Sequence, residues 1–185
     1  MNVAFILPPY DLMKKGYGSK KFIKAGFFPP LGVGYLASPL LKMGHKVKII
    51  DCPPLQYENE DIKKELIDFN VEVIGISSLT ASAEEAYSLV RFLKLNFPQV
   101  PIIFGGAHAS CFPDLIIKEA PMVDCLCYGE GEETFVKIVE SIKQTGKIGL
   151  DIPGTWVRGT DGKFFQNLSA MPKMNLDEMF EDLKE

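Results

Sequence analysis

The chain lacks a long hydrophobic run, an excess of basic residues and the cysteine spacings of common metal sites. No apolar stretch approaches the roughly 18 residues of a membrane-spanning helix, and the opening Met1–Val3 carries no positive signal-peptide head. We therefore expect a soluble, cytoplasmic protein. The chain has 185 residues, of which 46% are hydrophobic and 24% charged, with 16 Gly and 13 Pro. This composition indicates one folded domain and excludes disorder and a coiled coil.

The net charge of −4 is concentrated at the carboxyl terminus. Five acidic residues and one lysine lie in residues 176–185, so this segment alone carries −4 and the rest of the chain is balanced. A general nucleic-acid binder would show a basic excess, so that class is excluded. One basic cluster stands out, and we interpret it as a solvated loop, with contact to a phosphate as the alternative. Its members are Lys14, Lys15, Lys20, Lys21 and Lys24.

The four cysteines form neither a C-x-x-C pair nor a C-x-x-x-C-x-x-C triplet, which argues against a structural zinc, a disulfide framework and a cluster site. They are Cys52, Cys111, Cys125 and Cys127. The sequence also contains no G-x-S-x-G, no H-E-x-x-H and no P-loop. We therefore expect no catalytic residue and no metal ligand in this chain.

Short apolar runs alternate with amphipathic stretches along the chain. The runs predict five strands, at Val3–Leu7, Val47–Ile50, Val71–Ile76, Ile102–Phe104 and Val123–Cys127. The amphipathic stretches predict five helices, at Leu31–Met43, Glu60–Phe69, Ser82–Asn96, Pro113–Glu119 and Glu132–Gln144. This alternation is typical of a doubly wound α/β fold, flavodoxin-like or Rossmann-like, with a five-stranded parallel sheet.

The pattern changes after the last helix. Two short apolar segments, 154–158 and 163–167, flank the turn Gly159-Thr-Asp-Gly162 and predict a β-hairpin appended to the edge of the sheet. We accordingly expect a main domain over residues 1–150, the hairpin over 151–170 and an acidic linker over 171–185.

Ligands of such sheets bind beyond the carboxyl ends of the strands, so the loops that follow the strands contain the candidate site. The loop after strand three offers Ser77, Ser78, Leu79 and Thr80. Strand four is followed by Gly105, Gly106 and His108, and strand five by Tyr128, Gly129, Glu130 and Gly131. Helix capping by the hydroxyls and a tight turn at the glycines are the competing interpretations.

One motif suggests a different ligand. The segment from Gly32 to Ala37 fits G-x-G-x-x-A, and Asp51 follows at the end of strand two, as in nicotinamide-binding folds. In those folds the first glycine turns the chain directly off strand one, whereas Gly32 lies far beyond Leu7. We interpret Gly32 and Gly34 as allowing close helix–sheet packing, and keep a nucleotide- or flavin-binding protein as the alternative.

Ser77-x-Leu79 and Gly105-Gly106, taken together, resemble two signature elements of the cobalamin (vitamin B12)-binding domain. The ordered set of motifs over about residues 1–170 is similar to the amino-terminal domain of cobalamin-dependent radical S-adenosylmethionine (SAM) proteins. The further matching segments are Pro29–Gly32, Gly44–His45, Asp51, Gly105–His108 and Gly129–Phe135. The resemblance implies that the serine approaches the dimethylbenzimidazole of the cofactor's nucleotide tail. It also implies that the paired glycines leave room for that tail.

The third element of the family, Asp-x-His-x-x-Gly after strand one, is missing, because residues 8–30 contain no histidine. The resemblance therefore implies base-off cobalamin without a histidine from that loop. It also implies a radical SAM domain in cis, a methyltransferase or a cyclase of the Mg-protoporphyrin monomethyl ester type, with the 4Fe–4S cluster and S-adenosylmethionine bound there. Without that domain, this chain alone is not expected to catalyse the reaction. A regulatory domain that has lost its ligand is a third hypothesis.

Overall fold

The apolar runs form the centre of a seven-stranded sheet in the computed structural model, which describes residues 1–9 and 29–167. The parallel strands are β1 (Asn2–Leu7), β2 (Lys46–Asp51), β3 (Val73–Ser77), β4 (Ile102–Gly105) and β5 (Cys125–Cys127). The hairpin supplies β6 (Thr155–Arg158) and β7 (Phe164–Asn167), and β6 pairs antiparallel with β5. The expected parallel sheet with an edge hairpin is confirmed.

The helices connect successive strands. They are α1 (Leu31–Lys42), α2 (Cys52–Leu55), α3 (Asn59–Asp68), α4 (Ala83–Asn96), α5 (Ala107–Cys111), α6 (Pro113–Glu119) and α7 (Glu132–Thr145). The short helices α2 and α5 follow β2 and β4 directly and were not expected from the sequence. Among the described residues, no helix is long and apolar enough to cross a membrane.

The strand order is β2-β1-β3-β4-β5-β6-β7. The chain therefore changes direction between β1 and β3, and this switch point is where doubly wound sheets open a crevice for a ligand. Phe5 of β1 pairs with Gly75 of β3, and Gly75 pairs with Ile103 of β4. These residues share one face of the sheet because neighbours in register point the same way.

Each face of the sheet has its own apolar core. Helices α3 and α4 cover one face, where Ile62, Leu66 and Leu93 are fully buried. Helices α1 and α7 cover the other face, where Leu40 and Ile138 are fully buried. The second face also contains Phe5, Ile103, Cys125 and Cys127, so the two cysteines of β5, which are two residues apart, share a face.

Candidate functional site

A cavity of about 180 Å³ lies between the carboxyl ends of the central strands and the helices α1 and α7. Its lining comes from four parallel strands, the loops that follow them, and the starts of both helices. The lining residues are Phe5, Gly32, Val33, Leu36, Gly75, Ile76, Ser77, Ile103, Gly105, Gly106, Cys127, Gly129, Glu130, Gly131, Glu132 and Phe135. The cavity thus occupies the switch point that the strand order defines.

The inner end of the cavity is aromatic. The rings of Phe5 and Phe135 are tilted against each other with centroids 4.7 Å apart. A Cβ on Gly75 would lie 2.7 Å from Cδ1 of Phe5 and 3.1 Å from Cε2 of Phe135. Glycine at this position therefore lets both rings lie directly against the sheet, where they form an apolar wall.

The rim of the cavity depends on Gly106. Its backbone angles, φ 90 and ψ −177, belong to a region that only glycine adopts readily. A Cβ there would lie 2.7 Å from the carbonyl oxygen of Ser78 and 2.8 Å from its nitrogen. The Ser78 amide donates to Gly105, and the His108 amide donates to Ser78, each at 3.1 Å. The loops after β3 and β4 are thus joined through their backbones. Hence Gly106→Leu would disturb the fold as well as fill the cavity.

The first helix contributes an open glycine. A Cβ on either Gly32 or Gly34 would meet no atom within 4 Å. The expectation that both permit close helix–sheet packing is therefore wrong, since nothing in the described structure packs on either. Gly32 lines the cavity, whereas Gly34 does not. A side chain at Gly32 would enter the cavity without displacing protein atoms.

Two polar groups of the cavity come from the end of β5 and the start of α7. The pKa of the Cys127 thiol is raised to about 12, first by burial and then by the charge of Glu132, so this thiol is neutral at physiological pH. The Oε2 atom of Glu132 is buried and has no hydrogen-bond partner among residues 1–9 and 29–167. Such a group is unusual, because buried carboxylate oxygens normally accept hydrogen bonds.

The predicted site residues divide into two sets. Six of them line the cavity: Ser77, Gly105, Gly106, Gly129, Glu130 and Gly131. The other five, Ser78, Leu79, Thr80, His108 and Tyr128, lie around it. Ser78 is buried, with its hydroxyl donating to the Leu79 carbonyl at 2.9 Å, and the Leu79 side chain is 61% exposed beside it.

His108 is buried beneath the loop after β3. Its Nε2 lies 2.5 Å from the Tyr87 hydroxyl and its Nδ1 lies 3.3 Å from Oγ1 of Thr80. Burial lowers the pKa of this imidazole, so it is neutral near pH 7. The geometry thus places His108 as a support for Thr80 at the rim, with both ring nitrogens already in contact with protein groups.

His45 lies at the opposite edge of the sheet, as expected for a structural residue. Its Nδ1 is 3.2 Å from the amino group of Met1, and its Nε2 is 3.0 Å from Oε1 of Glu140. The sequence contains two histidines in total, and His45 and His108 both have their ring nitrogens engaged by protein groups.

Tyr128 contacts the end of the hairpin. Its hydroxyl donates to the Asn167 carbonyl at 2.6 Å, and Asn167 also pairs with Thr155 at the level of Cys127. The last described residue therefore lies at the carboxyl edge, next to the cavity. The candidates in the first loop, Tyr10, Tyr17 and the lysine cluster, fall outside the described residues, as does the acidic segment 171–185.

Sequence reasoning missed the walls that the helices provide. Gly32, Val33 and Leu36 of α1 and Phe135 of α7 line the cavity, but the rule that ligands follow strand ends does not indicate them. One signal was available: Gly32 begins a G-x-G stretch at a helix start, and an exposed glycine there leaves space.

A doubly wound domain with a glycine-rimmed cavity at its switch point is a cofactor-binding domain by fold and site. The family model described as "B12 binding domain" matches residues 25–139, which is more than half of the chain. The chain belongs to this family, and its cofactor is cobalamin.

Curated relatives are longer enzymes. The chain is 29% identical over 176 residues to an uncharacterized methyltransferase of Pyrococcus horikoshii, covering 87% of this chain and 37% of that protein. It is 33% identical over 153 residues to cytidylyl-2-hydroxyethylphosphonate methyltransferase of Streptomyces wedmorensis, covering 72% and 28%. It is 26% identical over 186 residues to an anaerobic magnesium-protoporphyrin IX monomethyl ester cyclase of Rubrivivax gelatinosus, covering 98% and 32%. The chain thus spans about a third of the length of these relatives.

Among solved structures, the cobalamin-dependent S-adenosylmethionine radical enzyme OxsB has the same fold. The match to OxsB with aqua-cobalamin and S-adenosylmethionine bound has a TM-score of 0.73 at 19% identity, and covers 92% of this chain and 22% of that one. The match to OxsB with aqua-cobalamin alone has the same values.

The residues present fit part of a cobalamin molecule. Pockets that enclose a whole drug-sized ligand measure about 300–1,000 Å³, whereas this cavity measures about 180 Å³. It therefore suits one ring system and its attachment. The aromatic wall made by Phe5 and Phe135 favours an apolar ring, and the glycines of the lining leave the space beside it free of side chains.

Proposed function

We propose that this domain binds cobalamin base-off and is the cofactor module of a radical SAM methyltransferase or cyclase. The observation that carries the proposal is the glycine-rimmed cavity at the switch point, which suits the nucleotide tail but is too small for the whole cofactor. Six of the predicted residues would hold the tail: Ser77, Gly105, Gly106, Gly129, Glu130 and Gly131. Leu79, Thr80 and Tyr128 lie outside the cavity and remain candidates for contacts with the larger ring.

The positions of the two histidines support cobalt without a histidine ligand from this chain. His45 is at the far edge of the sheet, 3.0 Å from Glu140. His108 is held between Tyr87 and Thr80. Ligation by His108 would require the ligating nitrogen to lose its contact, with Tyr87 for Nε2 or with Thr80 for Nδ1. In this proposal His108 and Ser78 are supports of the rim and do not bind cobalt.

The relatives support a second domain in cis. Their names include methyltransferases and a cyclase, and this chain corresponds to about a third of their length. Asn167, the last described residue, lies at the carboxyl edge of the sheet, where the Tyr128 hydroxyl donates to its carbonyl. We propose that residues 171–185 lead to a radical SAM domain that binds the 4Fe–4S cluster and S-adenosylmethionine. Bound cobalamin supplies the organometallic group-transfer chemistry, while the residues of this chain hold and orient it.

Binding is tested by titrating the purified chain with hydroxocobalamin and following the absorbance of the corrin. We expect saturable binding to the wild type. Gly32→Leu fills the cavity from an open position, so it should weaken binding at least about tenfold. Gly34→Leu is the matched control: the same change in the same helix, at a glycine that is equally open but does not line the cavity. It should bind like the wild type.

Three outcomes would contradict the proposal: no saturable binding, equal loss in both variants, or thermal stabilisation by NAD(P)H or flavin with none by cobalamin. The ligation state is read from the EPR spectrum of bound cob(II)alamin. Base-off binding without histidine predicts a spectrum that lacks superhyperfine splitting from an axial nitrogen.

A further inference from the structure

Glu132 has a buried oxygen atom with no explained role. It is the first residue of α7 and lines the cavity. Its Oε2 is buried without a hydrogen-bond partner in the part of the chain that the structure describes. A buried acceptor in this condition costs folding free energy, because it has given up water and received nothing in return.

None of the neighbouring groups in the described part of the chain donates a hydrogen bond to Glu132 Oε2. The Cys127 thiol lines the same cavity, and its pKa is raised first by burial and then by the charge of Glu132. Glu130 is exposed at the cavity mouth. Glu133 is 71% exposed, and its carboxylate pairs with Lys137 at 3.6 Å. Two adjacent acids thus face different surroundings: Glu133 faces solvent, and Glu132 faces the cavity.

Glu132 stands at the N-terminus of α7. The amide groups at the start of a helix carry partial positive charge, and α7 is 14 residues long. A carboxylate held there is an acceptor, so its missing partner must be a hydrogen-bond donor. The cavity that it faces is the one that suits the nucleotide tail.

We propose that Glu132 is a specificity-determining residue, whose carboxylate turns toward the cavity when the nucleotide tail binds and there accepts a hydrogen bond from an N–H or O–H donor on that tail, because Oε2 has no accessible surface in the unliganded structure. This inference rests on the proposed function. Neutral dimethylbenzimidazole has no N–H group, so in the nucleoside of cobalamin the two free ribose hydroxyls are the available donors. A cobamide with adenine as its lower base adds an amino group. Cobinamide, which has no tail, offers neither.

The test measures the affinities of Glu132→Ala and Glu132→Gln for hydroxocobalamin, the adenine cobamide and cobinamide. Glu132→Ala should lower the affinity for hydroxocobalamin at least about tenfold, since hydrogen bonds to charged groups are among the stronger ones. Its affinity for cobinamide should not change. Glu132→Gln keeps an acceptor oxygen but loses the charge, so its loss should be smaller. Glu133→Gln is the matched control and should bind all three ligands like the wild type.

The adenine cobamide distinguishes the two donors. A larger loss for this ligand than for hydroxocobalamin identifies the base amino group, and an equal loss identifies a ribose hydroxyl. Unchanged affinity for hydroxocobalamin, or the same loss for cobinamide, would overturn the inference. Thermal unfolding of the unliganded variants gives a second readout. Removal of an unpartnered buried acceptor should leave the melting temperature unchanged or raise it, so a clear decrease would indicate a structural role and also contradict the inference. If the wild type binds none of the ligands, the proposed function itself fails.

Discussion

The amino and carboxyl edges of the sheet, where the parallel strands begin and end, differ in how completely their buried polar groups are paired. At the amino edge, both carboxylate oxygens of Asp124 have partners. Oδ2 accepts from the Ile102 amide at 2.8 Å and pairs with Lys94, and Oδ1 accepts from Arg158 at 2.7 Å. His45 lies between Met1 and Glu140 at the same edge. At the carboxyl edge, the cavity is lined with glycines, and Glu132 Oε2 has no partner among the described residues.

This difference separates stability from binding. Groups that are paired within the protein lower the free energy of the folded state. Groups that are left open cost some of it and are available to a ligand, so binding sites concentrate where local rules of packing and pairing are broken. Substitutions at the amino edge should therefore change stability, and those at the carboxyl edge should change binding.

A substitution of Gly106, at the carboxyl edge, should reduce both stability and binding, and we expect the largest effect on stability there. Gly106→Ala places a Cβ against the Ser78 backbone and forces a side chain into a glycine-only conformation. We expect the free energy of unfolding to fall by about 3 kcal/mol or more, with cobalamin binding lost as well. Urea unfolding measures the first effect and titration the second.

Gly129→Ala is the control for this prediction. Gly129 also has a positive φ, 71, but a Cβ there would meet nothing within 4 Å. Its cost should be about 1 kcal/mol, from the backbone alone. Equal losses in the two variants would show that the contact between Gly106 and Ser78 is unimportant.

A substitution of Asp124, at the amino edge, should reduce stability alone. Asp124→Asn removes the charge that pairs with Lys94 and Arg158, in a largely buried cluster. We expect the free energy of unfolding to fall by about 2 kcal/mol, with no change in cobalamin affinity. Glu60→Gln, in an exposed pair with Lys63 at 3.8 Å, should change it by no more than about 0.5 kcal/mol. A loss of affinity in Asp124→Asn would mean that the two edges are coupled.

The smallest expected effect is a pH dependence that comes from His108. Burial lowers the pKa of this residue in the folded state, whereas in the unfolded chain it stays near 6.5. Below that pH the unfolded state binds the proton first. The contribution of His108 to stability is therefore complete above about pH 6.5 and is lost as the pH falls toward the folded-state value.

Urea unfolding at a series of pH values between 7.5 and 5 measures this dependence. His108→Gln should reduce the slope in that range, because glutamine does not titrate, while the acidic groups contribute equally to both proteins. Identical slopes would mean that His108 takes up its proton as readily in the folded protein as in the unfolded one.

The fold was largely predictable because short apolar runs of strand length alternate clearly with amphipathic stretches of helical period. The runs at Val3–Leu7 and Ile102–Phe104 lie within one residue of β1 and β4, and the predicted helix Pro113–Glu119 coincides with α6. Helices α2 and α5 have four and five residues, too few to show a hydrophobic period.

The candidate site was predictable only in part, for a geometric reason. Strand ends are visible in a sequence, so Ser77 and Gly105 were found. The direction of each side chain in a loop is set by tertiary contacts, so His108 was placed with the ligand-facing groups although it is buried against Tyr87. The glycine at Gly32 was noticed but interpreted as packing, since sequence alone cannot distinguish crowded space from open space.

The bond between the Tyr128 hydroxyl and Asn167 has a consequence for tethering. A chain anchored beside a site keeps whatever follows it within a short radius, and short flexible tethers give effective concentrations of about millimolar. For the radical SAM domain proposed in cis, encounter with the cofactor would then be intramolecular, and its strength would depend on the length of the tether as well as on the contacts made. Tyr128→Phe removes one contact to Asn167 but keeps its pairing with Thr155, so the anchor should hold in this variant.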